Sequence, residues 1–396
     1  MPGTAPPLRR TVAGPLLVLA FASYAALALF SGIDRASETQ PDLAKKVPRL
    51  LASEALRSGG RAALGTGNTA QALQLGESAV RDAPLDPAST ALLGAALLSG
   101  GDPGGADRAF RIAAQLGWRV PYTQLYMMAR ALDIGDYRIA AMRLDALARQ
   151  NPATLNDRRL FDPFERSAPG RAALAERLAA NPPWLRDYAM QVADLPADRL
   201  AQRYAVLTTL AASGRQVGCT PIGAPVSRLI AQGAIEDAAR LWRGHCPVAA
   251  AGLLYDGSFS AASLDQSESE FAWTFIGQSD VSVVIEPAAN PPAHQLVIDS
   301  SASQQRQVLR QLVLLPQGRY RLSWQSDAES GNQVMAQFNC APAGSEAIAP
   351  SRDAASRRWA VTVTMDRACP ARWIGFAIKP GAGNVRIADV RLDRAA

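Results

Sequence analysis

The sequence predicts an α+β protein of several domains: an N-terminal transmembrane helix, an α-solenoid of helical hairpins and a C-terminal antiparallel β-sandwich of jelly-roll type. Three observations support this prediction. Residues 12–33 form an uncharged apolar run, Gly-polar pairs recur every 34 residues, and from about Leu253 apolar and polar residues alternate. The predicted divisions are a cytoplasmic N-terminus (1–11), an anchor or signal (12–33), a helical repeat domain (36–248) and a β-sandwich domain (249–396).

Composition describes a globular protein with no concentrated basic surface. Hydrophobic residues make up 48% of the 396 residues and charged residues 19%, which suits packed domains and not a disordered chain. The net charge is +6, but the arginines are scattered among acids, with short basic pairs such as Arg158-Arg159. Nucleic-acid binding needs basic residues gathered on one face. We therefore expect no nucleic-acid partner.

The apolar run of residues 12–33 is long enough to cross a bilayer. About 20 apolar residues are needed for a helix to span the hydrocarbon core, and this run has 22 without a charge. Arg9 and Arg10 precede it, which places the N-terminus in the cytoplasm. The sequence thus predicts a single-pass protein of a bacterial inner membrane with most of its chain in the periplasm. The alternative is a signal peptide cleaved near the small residues of Ala26-Leu27-Ala28, with release to the periplasm.

The four cysteines agree with export. Cys219 and Cys246 lie 27 residues apart, and Cys340 and Cys369 lie 29 apart, without any CxxC motif. Two disulfides are the simpler expectation in an oxidising compartment, and a metal site is poorly supported. Four cysteines allow three pairings. We predict Cys219–Cys246 and Cys340–Cys369, each closing a loop of about 30 residues.

The Gly-polar pairs mark a repeat of helical hairpins. They are Gly67-Asn68, Gly101-Asp102 and Gly135-Asp136, and an alanine follows each glycine by five residues. The glycine suits a turn that needs a positive φ, and the small residues suit close helix crossings. The residues to which we assign these structural roles are Gly67, Ala72, Gly94, Gly101, Ala106, Gly135 and Ala140.

This spacing resembles the tetratricopeptide repeat over about residues 53–152, with irregular helices continuing to residue 248. A last hairpin is predicted around Gly233. The resemblance implies a concave surface that binds peptides or proteins, here other envelope proteins. Arginines such as Arg108, Arg111 and Arg143 are candidates to line that surface as exposed side chains.

The C-terminal third has the period of β-strands. Nine segments alternate apolar and polar residues and are separated by turn signals, which predicts a β-sandwich. We assign Trp273, Trp324 and Trp359 to its core because each shares a face with aliphatic residues. The predicted strands are 271–275, 281–285, 295–299, 308–315, 319–324, 333–340, 359–364, 371–378 and 385–392.

Three short segments of this region resemble carbohydrate-binding modules of the galactose-binding jelly-roll type: 254–259, 315–322 and 387–392. The resemblance implies that exposed aromatic residues bind sugar rings. Trp373 is the candidate, because Ile374, Phe376 and Ile378 occupy the other face of its strand. Such modules often bind a structural calcium ion through two acidic residues. One directly follows the phenylalanine of the first segment, here Phe259, and the other lies in the last segment. Only Asp389 matches that pattern, so we expect no metal.

The sequence contains no recognisable catalytic motif. HExxH, GxSxG and Walker patterns are absent from it, and we expect no cofactor and no enzymatic activity. The first hypothesis is an envelope scaffold whose repeats bind protein and whose sandwich binds polysaccharide during surface-polysaccharide assembly. The alternatives are an assembly factor that binds proteins only, and a carbohydrate-active enzyme with an unrecognised carboxylate pair.

Overall fold

The computed structural model describes residues 10–246, 252–264, 268–288, 294–340, 347–353, 356, 358–365, 369 and 371–395. The chain divides into two compact units, residues 1–154 and 155–396. The helices after Leu155 therefore belong to the same unit as the β-sheets. The predicted domain border at residues 248 and 249, and most of the predicted cytoplasmic segment 1–11, lie outside the described residues.

The first helix, α1 (Arg10–Ala36), contains the predicted apolar run. Its stretch Gly14–Ala36 is the one helix among the described residues that is long and apolar enough to cross a membrane, and its most apolar 18-residue window contains no buried residue. The length and composition suit either a membrane span or a signal sequence.

The end of α1 is joined to the first repeat helix by a buried carboxylate. Asp34 accepts hydrogen bonds from the backbone N–H groups of Glu54 (3.0 Å) and Ala55 (2.8 Å). These N–H groups lie in the first turn of the next helix, where no residue of that helix caps them. Asp34 thus caps that helix from a different element. It follows the small residues at 26–28, so it stays in the chain whether or not the apolar run is removed.

Six helices then form three hairpins with a constant length pattern. The first helix of each hairpin has 13 residues and the second has 14: α2 (Ser53–Gly65) with α3 (Thr69–Asp82), α4 (Pro87–Ser99) with α5 (Pro103–Leu116), and α6 (Pro121–Asp133) with α7 (Tyr137–Gln150).

The Gly-polar pairs form the three turns, and each residue of a pair has its own role. The glycines Gly67, Gly101 and Gly135 have φ angles of +74°, +82° and +75°. A residue with a side chain would be strained in this left-handed backbone conformation. The next residue caps the second helix through its side-chain oxygen, which accepts a backbone N–H three residues on. These caps are Asn68, Asp102 and Asp136.

Small residues lie where the helices of a hairpin approach each other. Ala72, Ala106 and Ala140 are each fully buried. A Cβ atom on Gly94 would lie 3.1 Å from the ring of Phe110, which is too close for an unadjusted side chain. The geometry has the period of the tetratricopeptide repeat, and membership of that family stays a prediction.

Arg143 is not the exposed side chain that we expected. It is 9% exposed, its guanidinium lies 3.7 Å from the ring centroid of Trp118, and it donates to the side-chain oxygen of Gln124 at 3.1 Å. In an amphipathic helix an arginine is expected to face solvent. Its aliphatic chain and planar guanidinium group can also pack against an aromatic ring, as they do here.

The second unit begins with helices that lose the 34-residue period. The last two form the predicted hairpin, with Gly233 at φ +80° in its turn and Ala238 fully buried. The helices are α8 (Arg158–Arg166), α9 (Ala168–Ala179), α10 (Leu185–Met190), α11 (Ala197–Ala212), α12 (Cys219–Ala231) and α13 (Ile235–His245).

Two antiparallel sheets form the rest of the unit, and all nine predicted strands are present. The first is shorter than expected. Two additional strands have only two residues each. The strands are β1 (Thr274–Phe275), β2 (Val281–Pro287), β3 (His294–Ser300), β4 (Arg306–Leu314), β5 (Gly318–Gln325), β6 (Val334–Cys340), β7 (Ala347–Ile348), β8 (Ser351–Arg352), β9 (Trp359–Met365), β10 (Ala371–Ile378) and β11 (Gly383–Arg394).

The strand orders are β1-β4-β10-β6-β7 and β2-β3-β11-β5-β9-β8. Their inner faces share one hydrophobic core, which includes Trp273, Trp324 and Trp359 as predicted. The exit strand closes on the entry segment, since the N–H of Val390 donates to the carbonyl of Gly257 at 2.8 Å. These features agree with the predicted α+β class and β-sandwich.

Ser330-Gly331, one of the turn signals between the predicted strands, lies instead in a short helix, α14 (Ala328–Gln333). Asp327 caps it by accepting from the N–H of Ser330 at 2.7 Å. Gly331 lies directly against the indole of Trp359, where a Cβ would overlap the ring. The tight contact with a buried tryptophan accounts for the glycine, whereas its position between two predicted strands indicated only a turn.

Candidate functional site

The candidate residue Trp373 lies on β10, the central strand of the five-stranded sheet. Ile374, Phe376 and Ile378 alternate with it and are fully buried in the sandwich core. Trp373 therefore points to the opposite, outer face of the sheet, as the alternation predicts. Its side chain is half-buried. Trp373 remains a candidate for binding. The side chains beside it on the outer face determine which ligand groups it could bind.

Strand register places two rows of residues across this outer face. Trp373 lies opposite Leu312 of β4 and Asn339 of β6. Two residues along β10, Gly375 lies opposite Arg310 of β4 and Gln337 of β6. Residues directly opposite each other in antiparallel strands share a face. Arg310 and Gln337 thus flank a position that has no side chain.

Arg310 covers part of the tryptophan. Its guanidinium carbon lies 4.3 Å from the ring centroid of Trp373, within the range of a cation–π contact. Its Nε atom is buried and has no hydrogen-bond partner. The side-chain oxygen of Gln337, a residue 4% exposed, likewise has none. We call Trp373, Arg310 and Gln337 the outer-face cluster. It places a buried donor and a buried acceptor, neither with a hydrogen-bond partner, beside an aromatic ring.

The hairpin of α12 and α13 packs beside this cluster. Ser227 donates to Glu270 at 2.6 Å, and Thr220 donates to Glu268 at 2.8 Å, so both helix side chains bind the segment before β1. A pocket of about 90 Å³ lies between Trp242 of α13 and the sheet, with Tyr255 and Leu312 among its lining residues. The hairpin covers Leu312, whereas Trp373 on the next strand is still half-exposed.

Both predicted disulfides are present. Cys219–Cys246 has a Cα–Cα distance of 4.6 Å and Cys340–Cys369 one of 5.8 Å. The first joins the start of α12 to the end of α13. The second begins at the residue after Asn339, at the end of β6, next to the outer-face cluster. Two disulfides suit an extracytoplasmic location.

The residues do not fit the calcium site that the resemblance implies. Asp389 accepts hydrogen bonds from Arg358 (2.6 Å) and from Arg391 (2.8 Å), so two guanidinium groups already satisfy its carboxylate. Burial opposes ionisation of Asp389, but the hydrogen bonds from Arg391 and Arg358 outweigh it and lower the pKa of the carboxyl. At the entry, Asp256 accepts from the backbone N–H groups of Ser260 and Ala261, both at 2.9 Å.

One other group of metal-ligand atoms occurs among the described residues. The sulfurs of Cys219 and Cys246 and a carboxylate oxygen of Glu268 lie within 4.8 Å of one another. Both sulfurs belong to the disulfide, so they offer no thiolate to a metal. Tyr255 donates to Glu268 at 3.3 Å, and burial followed by the charge of Glu268 raises the pKa of Tyr255.

Arg310 and Gln337 are not among the site residues that the sequence predicts. Their alternation within β4 and β6 shows only which face each occupies. That they meet beside Trp373 depends on strand register between segments more than 25 residues apart, and no local pattern specifies that register.

Comparisons with known proteins identify only solved structures of low similarity to this chain. No family model matches the chain, and no curated protein matches it. The module TmCBM61, solved in complex with β-1,4-galactotriose, is 17% identical with a TM-score of 0.27, over 36% of this chain and 99% of its own. A putative sugar-binding protein from Bacteroides thetaiotaomicron is 14% identical with a TM-score of 0.25, over 36% of this chain and 100% of its own.

A third structure, the enzymatically active domain of tailspike protein 4 from bacteriophage CBA120, is 14% identical with a TM-score of 0.28. That match covers 36% of this chain and 21% of the tailspike chain. Each is a likeness to part of this chain, and none assigns it to a family.

Proposed function

We propose that this chain is an exported, non-enzymatic binding protein of the bacterial envelope, whose β-sandwich binds carbohydrate at the outer-face cluster. The observation that supports this is the contact between two half-exposed side chains, Trp373 and Arg310, on the outer face of the sheet. Sugars present apolar ring faces and polar groups around the ring. A site with an aromatic ring and a hydrogen-bond donor beside it is complementary to both.

The N-terminal helix and the repeats give this proposal its setting. We propose that α1 anchors the chain in the inner membrane and that the hairpins α2–α7 bind an envelope protein. The export part rests on the apolar helix and the two disulfides. The protein-binding part rests on the repeat period alone, because arrays of helical hairpins commonly present such surfaces.

The test is direct binding by the full-length protein in detergent. Isothermal titration with a panel of bacterial oligosaccharides, acidic and neutral, should give saturable binding to at least one of them. Trp373→Ala should reduce that binding by about tenfold or more, because it removes most of the apolar surface on which a sugar ring would pack. Trp118→Ala is the matched control, because Trp118 is an exposed tryptophan on the repeats.

The control variant should bind like the wild type. A folded wild-type protein that binds no saccharide of the panel would reject the carbohydrate part of the proposal. The remaining hypothesis would then be that the protein is an assembly factor that binds proteins only.

A further inference from the structure

The charge on Arg310 is not neutralised within the described part of the protein. Several other arginines of the sandwich form ion pairs with aspartates, such as Arg306 with Asp280 (2.8 Å) and Arg321 with Asp353 (2.5 Å). Arg310 forms no ion pair with any described residue, although it is half-buried and its Nε is fully enclosed. A partly desolvated cation without a counter-ion favours the approach of an anion.

Arg310 also changes what the tryptophan presents to a ligand. The guanidinium lies over the indole, on the side of the row that contains Gly375. A sugar that approaches from this side meets the charged group first. The ring holds the planar guanidinium in place, which orients its outward N–H groups for bidentate contact with a carboxylate.

We infer that the saccharide bound at the outer-face cluster is anionic, with a uronic acid unit whose carboxylate binds the guanidinium group of Arg310. This inference rests on the proposed carbohydrate-binding function and specifies its ligand class. A neutral sugar leaves the charge of Arg310 without a counter-ion.

The test compares acidic and neutral versions of the same saccharides on the full-length protein in detergent. The probes are oligomers of galacturonate, glucuronate and mannuronate, the methyl esters of the same oligomers, and the corresponding neutral oligosaccharides. We expect the acid forms to bind at least about tenfold more tightly than their esters. That preference should diminish as salt is raised.

Two variants assign the preference to Arg310. Arg310→Gln removes the charge and should abolish the difference between acid and ester, whereas Arg310→Lys keeps the charge and should retain part of it. Circular dichroism and the thermal midpoint establish that both variants are folded.

The outcomes separate this inference from the proposed function. Equal binding of acids and esters, or a preference unchanged by Arg310→Gln, would overturn the anionic assignment while carbohydrate binding at Trp373 stands. Binding of neutral saccharides alone would do the same. If no saccharide of any class binds, both the inference and the proposed function are wrong.

Discussion

Arg358 binds Asp389 at two points, through the carboxylate at 2.6 Å and through the backbone carbonyl. The same guanidinium donates to the hydroxyl (3.2 Å) and the carbonyl (3.3 Å) of Ser323 on β5. Four oxygen atoms thus accept hydrogen bonds from the guanidinium group of Arg358. A bound metal ion would need such oxygens itself, so Arg358 supplies the positive charge that stabilises this part of the sandwich.

The first prediction concerns Arg358. Arg358→Ala should destabilise the protein by about 2 kcal/mol, because it leaves charge-assisted hydrogen bonds at Asp389 unmade in a mostly enclosed position. Arg391→Ala should lower the free energy of unfolding by less than about 1 kcal/mol. Arg391 binds the same carboxylate but is 59% exposed, against 10% for Arg358, which makes it the matched control. Urea denaturation followed by tryptophan fluorescence measures both.

Calcium and chelators should not shift the midpoint of the wild-type protein. A rise in midpoint with calcium, or equal costs for the two arginine variants, would contradict the assignment of the charge to Arg358.

The second prediction concerns pH and His245. This residue is fully buried, its Nδ1 accepts the N–H of Val217 at 3.2 Å, and its Nε2 lies 2.9 Å from the carbonyl of Leu207. These partners require the neutral ring, with the proton on Nε2, because a second proton on Nδ1 would face an N–H donor. Burial lowers the pKa of His245, and the hydrogen bond to Leu207 offsets this only in part.

Because the folded-state pKa lies below the ordinary value of about 6.5, the unfolded chain binds the proton more readily. The stabilisation from neutral His245 is therefore complete above about pH 6.5 and is lost as pH falls through the folded-state pKa. We expect the free energy of unfolding to decrease between about pH 7 and pH 5. His245→Asn should be less stable at pH 7 and should show a flatter pH dependence over this interval.

The measurement is a set of urea denaturation curves at half-unit pH steps for both proteins. Parallel pH profiles for the wild type and the variant would show that His245 does not contribute.

The third prediction concerns the Cys219–Cys246 disulfide. It closes the hairpin of α12 and α13, which also binds the sheet through Ser227 and Glu270. Cys219→Ser combined with Cys246→Ser should lower stability by roughly 3–4 kcal/mol, the chain-entropy value for a loop of this length. Thermal denaturation under oxidising conditions should show a lower midpoint for the double variant.

Reduction provides the control for this prediction. A reducing agent should lower the midpoint of the wild type further than that of the double variant, which retains only Cys340–Cys369. Mass mapping of the non-reduced wild type that finds free thiols would contradict the pairing itself.

The fourth prediction concerns the repeat turns. Gly67→Ala should destabilise the repeats by about 1 kcal/mol, because φ is +74° at this position and a side chain is strained there. Gly65→Ala is the control two residues away. Gly65 lies in the last turn of α2 with ordinary helical geometry and free space around it, so alanine should be neutral or slightly stabilising there. Comparable losses in both variants would show that the left-handed turn is not the cause.

Much of this architecture follows from periodicity, which a sequence displays directly. The 34-residue spacing of Gly67, Gly101 and Gly135 locates three turns, because each requires the same backbone conformation. Alternation of apolar residues locates nine strands and shows that Trp373 faces away from Ile374. An uncharged run locates α1. These are local properties, set by the geometry of a helix or a strand within one segment.

Only the tertiary structure decided which residues meet. Register between β4, β10 and β6 brings Arg310 and Gln337 to either side of Gly375, and the packing of β5, β9 and β11 brings Arg358 to Asp389. Tertiary packing also places the helices after Leu155 in the unit of the sandwich and buries Arg143 against Trp118. Such pairings depend on contacts between distant segments, and the pattern of any one segment is compatible with several of them.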